Sequence, residues 1–584
     1  MDIGTETPYG DIYLTGRMSR QFVDAHFGPC GAGITELSIP LAPPSDWKIF
    51  VMRIIRDEVA ETASIKWITF GSTTTPNHPE FSGMDIEVSA LGDVYVTGSI
   101  TGQVTFEQTY PVPLFTPVVT CETSSSVYRH FVARFSHDGQ PMWVAETDAD
   151  LNTYGQGITL DETSGRLFTG GFVESNGLEW PIHFPHAKLW TGSGCDPGCS
   201  FTVDFDGINP TVGFLSQYTL GGQNLSANQM GEKVMDVVMD PDLNHVWITG
   251  SVINADRDIM LAKVTVPGGG CMPMTPTYKY IYGDGEDIGL DLAYMGDDKV
   301  IVVGNFTQDL VLDGVGPIAS LSPNWSDHAV ICFDRNLDVF ESGLPTTSIS
   351  GSDPSLMDPT LPYYTSVYDR SICVARKSAS SVDFIIAYDL RFNTEISSVE
   401  MNTLSVSTGT PISAHDVVDD VGSTYTHTRA MEIEYGTNTT GIYNRYVTGD
   451  FRGTWLEFGP CMMPPAMAGR AVGFVYRMDN SHVAYKEQTL GEEGIVAEDA
   501  KSQVYPNPFS TSVNLEIRAK ANDPVIQAEI FGVDGKLIHS WDASHFQTGS
   551  NRIEWNSTGH PAGQYVLKVT RSSGQETLKL NRVE

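Results

Sequence analysis

Three acidic loops contain the oxygen ligands that a calcium ion takes in proteins. They read DADLN at 148–152, DPDLN at 240–244 and DGED at 284–287. The first two begin like a calcium loop, but neither has the glycine at the sixth position or the glutamate at the twelfth that an EF-hand requires. Asp and Asn also favour turns without any ion. Turn formation is therefore the preferred interpretation, calcium binding is the alternative, and no other cofactor is expected.

The catalytic motifs with a defined spacing are missing from the sequence. It contains no G-x-S-x-G, no H-E-x-x-H and no G-x-x-x-x-G-K-[ST]. His183 and His186 have the spacing H-x-x-H, but Pro181 and Pro185 argue against a helix that would aim both rings at one metal. No catalytic, cofactor-binding or metal-binding residue is assigned.

The eight cysteines permit disulfides if the chain is exported. Cys195 and Cys199 flank the short sequence Asp-Pro-Gly, and we expect a bridge between them. Cys332 and Cys373 lie in apolar strand patterns, which are equally consistent with buried thiols. A structural zinc site is not expected, because the sequence does not contain two C-x-x-C pairs.

Composition favours an all-β protein of two to four domains. The 584 residues include 56 Gly and 33 Pro, and only 18% are charged, so helix formers are few and turn residues many. There are 72 acidic and 35 basic residues, a net charge of -37, which argues against nucleic acid and anionic lipid as partners. No apolar run approaches the roughly 18 residues that a transmembrane helix needs.

An internal repeat fills the first 490 residues. Each copy has a turn, a β-branched or aromatic stretch and a glycine where the strand ends, and most follow a second alternating stretch that would complete a hairpin. The copies are GDIYLTGR (10–17), GDVYVTGS (92–99), GRLFTGGF (165–172), NHVWITGS (244–251), DKVIVVGN (298–305) and NRYVTGDF (444–451).

A further strand pair follows most copies, and four antiparallel strands make one propeller blade. The strand-ending glycines are Gly16, Gly98, Gly170, Gly250, Gly304 and Gly449, and the last interval is about twice the others. A degenerate copy at 381–389 lies near its middle, which gives seven blades. We expect long loops at 107–128, 173–211, 307–327 and 340–366.

These copies resemble the bacterial seven-bladed propeller repeats called SBBP repeats, whose pattern is close to D-x-x-G-N-V-Y-V-T-G-x-F. The resemblance implies a propeller over residues 1–491, although the sixth copy departs from the pattern. Trp67 and Trp143 occupy equivalent outer-strand positions, where packing between blades is expected and a carbohydrate platform is the alternative. The loop residues Trp180, Trp190 and Trp325 are the better candidates for a binding face.

The last 81 residues differ from the rest in charge. Eight basic and eight acidic residues follow Val504, so the whole net charge falls on the preceding segment. A polar linker at 492–503 precedes several short period-two strands in 504–584, which favour a small immunoglobulin-like sandwich.

This segment resembles the type A C-terminal sorting domain of the type IX secretion system of Bacteroidetes. The resemblance lies in YPNPF at 505–509, GVDGK at 532–536, PAGQY at 561–565 and LKL at 578–580. The residues that carry it are Tyr505, Pro506, Asn507, Pro508, Phe509, Gly532, Asp534, Gly535, Gly563, Tyr565, Lys579 and Leu580.

The resemblance implies export through the type IX machinery to the outer surface or the medium. The sorting domain is then usually removed, and the protein is released or attached to lipopolysaccharide. Met1-Asp2-Ile3 matches Met84-Asp85-Ile86 of the second copy, and no signal peptide precedes it. We therefore expect that this sequence lacks its natural beginning.

Two classes of function are consistent with these features. The preferred one is a non-enzymatic propeller that binds a protein, a glycan or a matrix component outside the cell. The alternative is a secreted hydrolase or lyase for carbohydrates, with paired carboxylates in the channel of the propeller.

Overall fold

The structure is a computed structural model of the whole chain. It describes the following residues: 2–5, 11–18, 22–27, 35–40, 48–57, 62–73, 82–111, 117–120, 127–148, 151–174, 180–184, 188–189, 199–203, 211–240, 245–253, 256–266, 273–283, 285, 287–296, 299–312, 316–318, 326–339, 347–349, 372–378, 381–392, 394–405, 411–418, 427–437, 443–452, 456–458, 461–463, 472–478, 503–505, 509–519, 525–532, 536–546, 549–571 and 574–583.

The chain divides into two compact units, Met1–Glu487 and Gln488–Glu584. The first half of unit one contains these strands: β1 (Asp2–Thr5), β2 (Ile12–Met18), β3 (Phe22–Phe27), β4 (Thr35–Pro40), β5 (Lys48–Asp57), β6 (Thr62–Thr73), β7 (Ser82–Val88), β8 (Val94–Ile100), β9 (Val104–Tyr110), β10 (Val118–Val119), β11 (Arg129–Phe135), β12 (Pro141–Glu146), β13 (Asn152–Asp161), β14 (Arg166–Glu174), β15 (Trp180–Phe184), β16 (Lys188–Leu189), β17 (Cys199–Val203), β18 (Thr211–Thr219) and β19 (Asn224–Gln229).

The second half of unit one continues in the same way. Its strands are β20 (Lys233–Asp240), β21 (His245–Ile253), β22 (Arg257–Thr265), β23 (Thr275–Gly283), β24 (Ile288–Gly296), β25 (Lys299–Thr307), β26 (Leu310–Leu312), β27 (Gly316–Ile318), β28 (Ser326–Phe333), β29 (Thr347–Ile349), β30 (Ile372–Ser378), β31 (Ser381–Phe392), β32 (Thr394–Ser405), β33 (Pro411–Val418), β34 (His427–Thr437), β35 (Tyr443–Arg452), β36 (Leu456–Phe458), β37 (Cys461–Met463) and β38 (Val472–Met478).

Among these strands, seven antiparallel sheets of three or more strands follow one another along unit one. Their main strands are β1-β2-β5-β6 (sheet 1), β7-β8-β11-β12 (sheet 2), β13-β14-β18-β19 (sheet 3), β20-β21-β22-β23 (sheet 4), β24-β25-β28-β29 (sheet 5), β30-β31-β32-β33 (sheet 6) and β34-β35-β38 (sheet 7). The all-β prediction is confirmed, and the repeat copies form the second strands of sheets 1 to 5 and 7.

In sheets 4 and 5 the repeat glycine lies opposite a bulge in the first strand of the sheet. In sheet 4 the register shifts between Val234 and Asp236, and Val234 is paired with Gly250. A Cβ on Gly250 would collide with the carbonyl oxygen of Lys233. Sheet 5 repeats the arrangement, because its first strand shifts after Gly289, the partner of Gly304. The bulge brings one backbone onto the other, and only glycine leaves room for it.

The first strands of successive sheets lie side by side. Backbone contacts link β1 to β7, and then β13, β20, β24, β30 and β34 in turn, and β34 also contacts β1. Three aspartates connect these strands, each accepting a hydrogen bond from a backbone N–H of the next sheet. The donors and acceptors are Ile158 N to Asp85 Oδ2 at 2.6 Å, Leu292 N to Asp236 Oδ2 at 3.0 Å, and Val374 N to Asp291 Oδ2 at 2.8 Å.

Three sheets are also joined to the next sheet by cations on their third strands. In each case a cation on the third strand lies over an aromatic ring of the second strand and donates a hydrogen bond to a carbonyl in a turn of the following sheet. The three sets are Arg53 over Tyr13 with His137 O at 2.9 Å, Arg134 over Tyr95 with Leu220 O at 3.0 Å, and Lys263 over Trp247 with Arg335 O at 3.1 Å.

The predicted long loops contain short strands that cover sheet edges. Strand β9 pairs with β6 of the preceding sheet, β16 pairs with β12, and β26 pairs with β23. An open outer strand would present unpaired N–H and C=O groups, and these pairings satisfy part of them. The prediction for 340–366 lies almost entirely outside the described residues.

The core of unit one lies between neighbouring sheets. Trp67 and Trp143 are 1% and 2% exposed, which confirms that they pack between sheets. Each indole N–H donates to a turn of the next sheet, to His137 O and Leu220 O. Cys332 and Cys373 are buried, as the thiol interpretation predicts, and burial raises the pKa of Cys332 to about 12.

Unit two contains two sheets around its own core. Its strands are β39 (Gln503–Tyr505), β40 (Ser512–Ala519), β41 (Val525–Gly532), β42 (Leu537–Asp542), β43 (Gly549–Asn556), β44 (Gly563–Arg571) and β45 (Gly574–Arg582), with a 3-10 helix at Ala543–His545. The sheet orders are β39-β40-β43 and β42-β41-β44-β45. Leu515 of the first sheet and Ile530 and Leu567 of the second belong to one buried cluster.

Within the described parts of the chain, no helix has the length and apolar character needed to cross a membrane.

Candidate functional site

The candidate site lies in unit two, where the separated sequence motifs meet. Phe509, the last residue of YPNPF, is 2% exposed and forms a parallel bridge to Arg582 at the end of β45. Its N–H donates to Asn581 O at 3.0 Å, and Val583 N–H donates to Phe509 O at 2.8 Å. The two ends of the segment are therefore joined through backbone hydrogen bonds.

An aromatic cluster fills the space beneath this junction. The ring of Trp555 lies 5.7 Å from Phe509 and 5.2 Å from Tyr565, edge to face in both pairs. The Tyr565 hydroxyl donates to Pro561 O at 2.6 Å, which ties together the two ends of PAGQY. The buried ring thus keeps its polar atom satisfied.

A polar network links the same junction to a loop. Arg582 Nε donates to Ser557 Oγ at 2.9 Å. Ser557 donates through its N–H and its hydroxyl to Thr511 O, at 2.8 Å and 3.0 Å. The residues after YPNPF, the loop after β43 and the terminal strand are connected by three hydrogen bonds.

Strand register places the remaining motifs beside one another. Gly532 is paired with Tyr565, and Tyr565 with Leu580, so GVDGK, PAGQY and LKL lie in one row across three strands. Tyr565 and Leu580 are buried, whereas Lys579 is exposed. Gly532 N–H also donates to Lys536 O at 2.9 Å and closes the β41–β42 turn.

Several predicted residues cannot be placed. Pro506, Asn507, Pro508, Asp534, Gly535 and Cys195 lie outside the described residues, and only the backbone is described for Tyr505 and Cys199. Gly563 is exposed and has a φ of 151°. The predicted set omitted Trp555, Ser557 and Arg582, whose contacts span the sequence and leave no local pattern to recognise.

Comparison with known families identifies this segment. Residues 503–581 match the family described as "Secretion system C-terminal sorting domain". The resemblance to a type IX sorting domain is thereby confirmed for this part of the chain. A sorting domain of this kind indicates a secreted or cell-surface protein and an interaction with the type IX secretion machinery.

A solved structure matches over most of the chain, but weakly. It comes from a study of PorZ, described as an essential bacterial surface component of the type-IX secretion system of Porphyromonas gingivalis. The identity is 10%, the match covers 97% of this chain and 100% of that chain, and the TM-score is 0.17. At this TM-score the likeness establishes no shared fold. No curated protein matches the chain.

Unit one contains a buried charged cluster that the sequence analysis missed. Glu232 accepts two hydrogen bonds from Arg257, at 2.7 Å and 2.8 Å, and one each from the hydroxyls of Thr211 and Ser251, both at 2.8 Å. Burial disfavours the charged form of Glu232 and acts to raise its pKa. The hydrogen bonds and the charge of Arg257, together with the hydrogen bonds from the two hydroxyls, outweigh burial and hold the pKa of Glu232 below its ordinary value. Removing one partner of such a pair leaves the other charge buried and unpaired, which is strongly destabilising.

The side chain of Lys233, which follows Glu232 and begins β20, extends to an aromatic ring. Its ammonium lies 4.6 Å from the ring centre of Phe172, on the second strand of sheet 3. Burial lowers the pKa of Lys233, while the charge of Glu232 acts in the opposite direction. The two neighbouring residues thus connect sheets 3 and 4 through different contacts.

The acidic loops are described only in part. Asp148 is 71% exposed and lies 3.9 Å from Arg129. Asp240 is buried, and Asp287 accepts a hydrogen bond from Thr307 N–H at 2.9 Å. Over the described stretches, no group of three or more His, Cys, Asp or Glu is arranged to hold a metal ion. Calcium binding stays a prediction.

One buried histidine makes unit one sensitive to acid. His130 is 1% exposed, its ring contacts Phe214 and Thr169, and burial lowers its pKa to about 3. The neutral ring stabilises the fold above pH 6.5, and this contribution is lost as the pH falls, by up to about 1.4 kcal/mol for each pH unit.

In urea unfolding at pH 7 and pH 5, His130→Gln should lose less stability than the wild type. Equal losses in both proteins would contradict this assignment.

Proposed function

We propose that the chain is a secreted or surface-attached protein of the type IX secretion route. Its working unit is a seven-bladed propeller of SBBP type, and its sorting domain is an immunoglobulin-like sandwich. The propeller binds a protein, glycan or matrix component outside the cell. The observation that carries the export route is the family match at 503–581. After export the domain is removed, and the protein is released or attached to lipopolysaccharide.

Four features support the propeller. They are the seven successive sheets, the contact of β34 with β1, the aspartate hydrogen bonds between first strands, and the hydrogen bonds from third-strand cations to turns of the following sheet. The hydrogen bonds link a sheet to the next one in the chain, and the contact of β34 with β1 links the last sheet to the first, as expected for blades arranged around an axis. The hydrogen bond from Tyr565 to Pro561 resembles the tyrosine corner of immunoglobulin-like sandwiches.

A binding function is preferred to an enzymatic one because of how the first-strand carboxylates are used. Asp85, Asp236 and Asp291 lie on the first strands, where a channel active site would be built, and each accepts a backbone hydrogen bond from the next sheet. A glycosidase needs two carboxyl groups facing one cleft. The carbohydrate hydrolase or lyase stays the alternative. The proposal includes ligand contact by Trp180, Trp190 and Trp325, a bridge between Cys195 and Cys199, and calcium binding.

The export route is tested by deleting residues 504–584 in a bacterium that has a type IX system, with a signal peptide supplied to both proteins. The full chain should reach the surface or the medium, and the deleted chain should accumulate in the periplasm. Ser540→Ala, an exposed change in the sorting domain, serves as the control and should be exported normally. Export of the deleted chain at the normal level would refute the proposed route.

A further inference from the structure

Unit two has an apolar row on the surface of its four-stranded sheet. Phe531 of β41 is paired with Val566 of β44 and, across a bulge, with Leu537 of β42. Val566 is paired in turn with Lys579 of β45. Directly paired residues of antiparallel strands project from the same face. Leu537 and Val566 are 48% and 37% exposed, and Phe531 is partly exposed. These four residues are called the outer row.

Exposed apolar side chains are concentrated in this unit. Seven large hydrophobic residues are exposed among those that the structure describes, and four of them belong to the sorting domain, namely Ile526, Leu537, Val566 and Val583. Grouped exposed apolar residues mark interaction sites in soluble domains. The outer row is such a group, because its members are neighbours across the sheet.

Basic side chains lie at both ends of the outer row. Lys536, next to Leu537, is exposed at one end, and Lys579 is exposed at the other. The sorting domain is neutral overall, whereas the whole chain has a net charge of -37. A complementary surface would therefore be apolar, with carboxylates at its margins.

The outer row is continuous with the sorting motifs. Phe531 precedes Gly532, Leu537 follows Lys536, Val566 follows Tyr565, and Lys579 is part of LKL. The register that assembles the buried residues of these motifs necessarily places the outer row on the opposite side of the same strands. One side of each motif thus builds the core, and the other side forms the exposed row.

We propose that the outer row is the surface by which a protein of the type IX machinery recognises this sorting domain. The partner presents an apolar patch bordered by acidic side chains. This inference rests on the proposed function, and it adds the residues that the partner contacts and the chemistry of the contact. Losing two apolar contacts of an interface should reduce recognition at least about tenfold.

The test compares export of the full chain with that of Leu537→Thr/Val566→Thr, which places a β-branched side chain at both positions and so keeps the strand propensity of both strands. We expect at least about a tenfold drop in exported protein. Lys536→Glu/Lys579→Glu should reduce export as well. Ile526→Thr is the matched control, because Ile526 is 49% exposed and lies outside the row, and it should be exported normally.

Four outcomes decide between this inference and the proposed function. If deletion of 504–584 blocks export but both row variants are exported normally, the outer row is not the recognition surface. If the deletion itself leaves export unchanged, the proposed route fails. Resistance of the sorting domain to protease is measured in each variant. Lost export with wild-type resistance supports the inference, whereas lost export that only follows lost resistance overturns it.

Discussion

Alanine at Gly250 or at Gly304 should destabilise unit one by about 3 kcal/mol or more. At each position the new methyl group would collide with a backbone carbonyl, that of Lys233 in sheet 4 and that of Ile288 in sheet 5. A carbonyl in a bulged first strand cannot move aside without breaking the sheet pairing on which the next sheet packs. The loss is measured as the fall in the urea midpoint of unit one.

The matched control is Gly221→Ala, in the turn before β19. The nearest atom to a Cβ there is Thr219 Oγ1 at 3.6 Å, an ordinary contact. This variant should unfold within about 0.5 kcal/mol of the wild type. If all three alanine variants unfold alike, close backbone approach is not the reason for the repeat glycines.

Replacing Glu232 with alanine should cost about 3–5 kcal/mol, because the guanidinium of Arg257 would stay largely buried without its carboxylate. The side chains of Arg257 and Glu232 are 12% and 1% exposed. The depressed pKa of Glu232 also has a consequence for pH. Its contribution is present above the ordinary carboxyl value of 4.5 and is lost as the pH falls towards the lower folded value.

Two variants test whether the buried pair causes this loss. Asp148→Ala also takes a carboxylate from a buried guanidinium, that of Arg129, but this contact is 3.9 Å long and Asp148 is 71% exposed, so the change should cost less than about 1 kcal/mol. Glu232→Met/Arg257→Met removes both charges and should recover part of the stability lost in Glu232→Ala. If the double variant is less stable than the single one, the buried charge of Arg257 is not the source of the loss.

The sequence pattern predicted the hairpins and the repeat glycines because both depend on residues close together in the chain. Turn residues and β-branched stretches define the hairpins β7–β8 and β20–β21. The repeat glycine lies at a constant position in the second strand of each hairpin. The bulge opposite that glycine could not be predicted, because a register shift depends on both strands. The pairing of β9 with the preceding sheet was missed because its loop lacks the repeat pattern.

In the candidate site, too, the local motifs could be predicted and the contacts between distant residues could not. The motif sequences were recognisable from residue type and order, and strand alternation separates buried Leu580 from exposed Lys579. The bridge from Phe509 to Arg582 joins residues at opposite ends of the domain, so no spacing indicates it. The pair Glu232 and Arg257 was missed for the same reason. Glu232 precedes β20 and Arg257 begins β22, so the whole β20–β21 hairpin lies between them in the sequence.

The most direct test of the account is to transfer the sorting domain to another protein. Residues 488–584, the second compact unit, are fused to a soluble reporter that has a signal peptide, in a bacterium with a type IX system. The fraction of reporter activity outside the outer membrane is then measured. If unit two is an export signal, the fusion reaches the surface or the medium while the reporter alone stays in the periplasm. Equal retention of both proteins would contradict an export role for this unit.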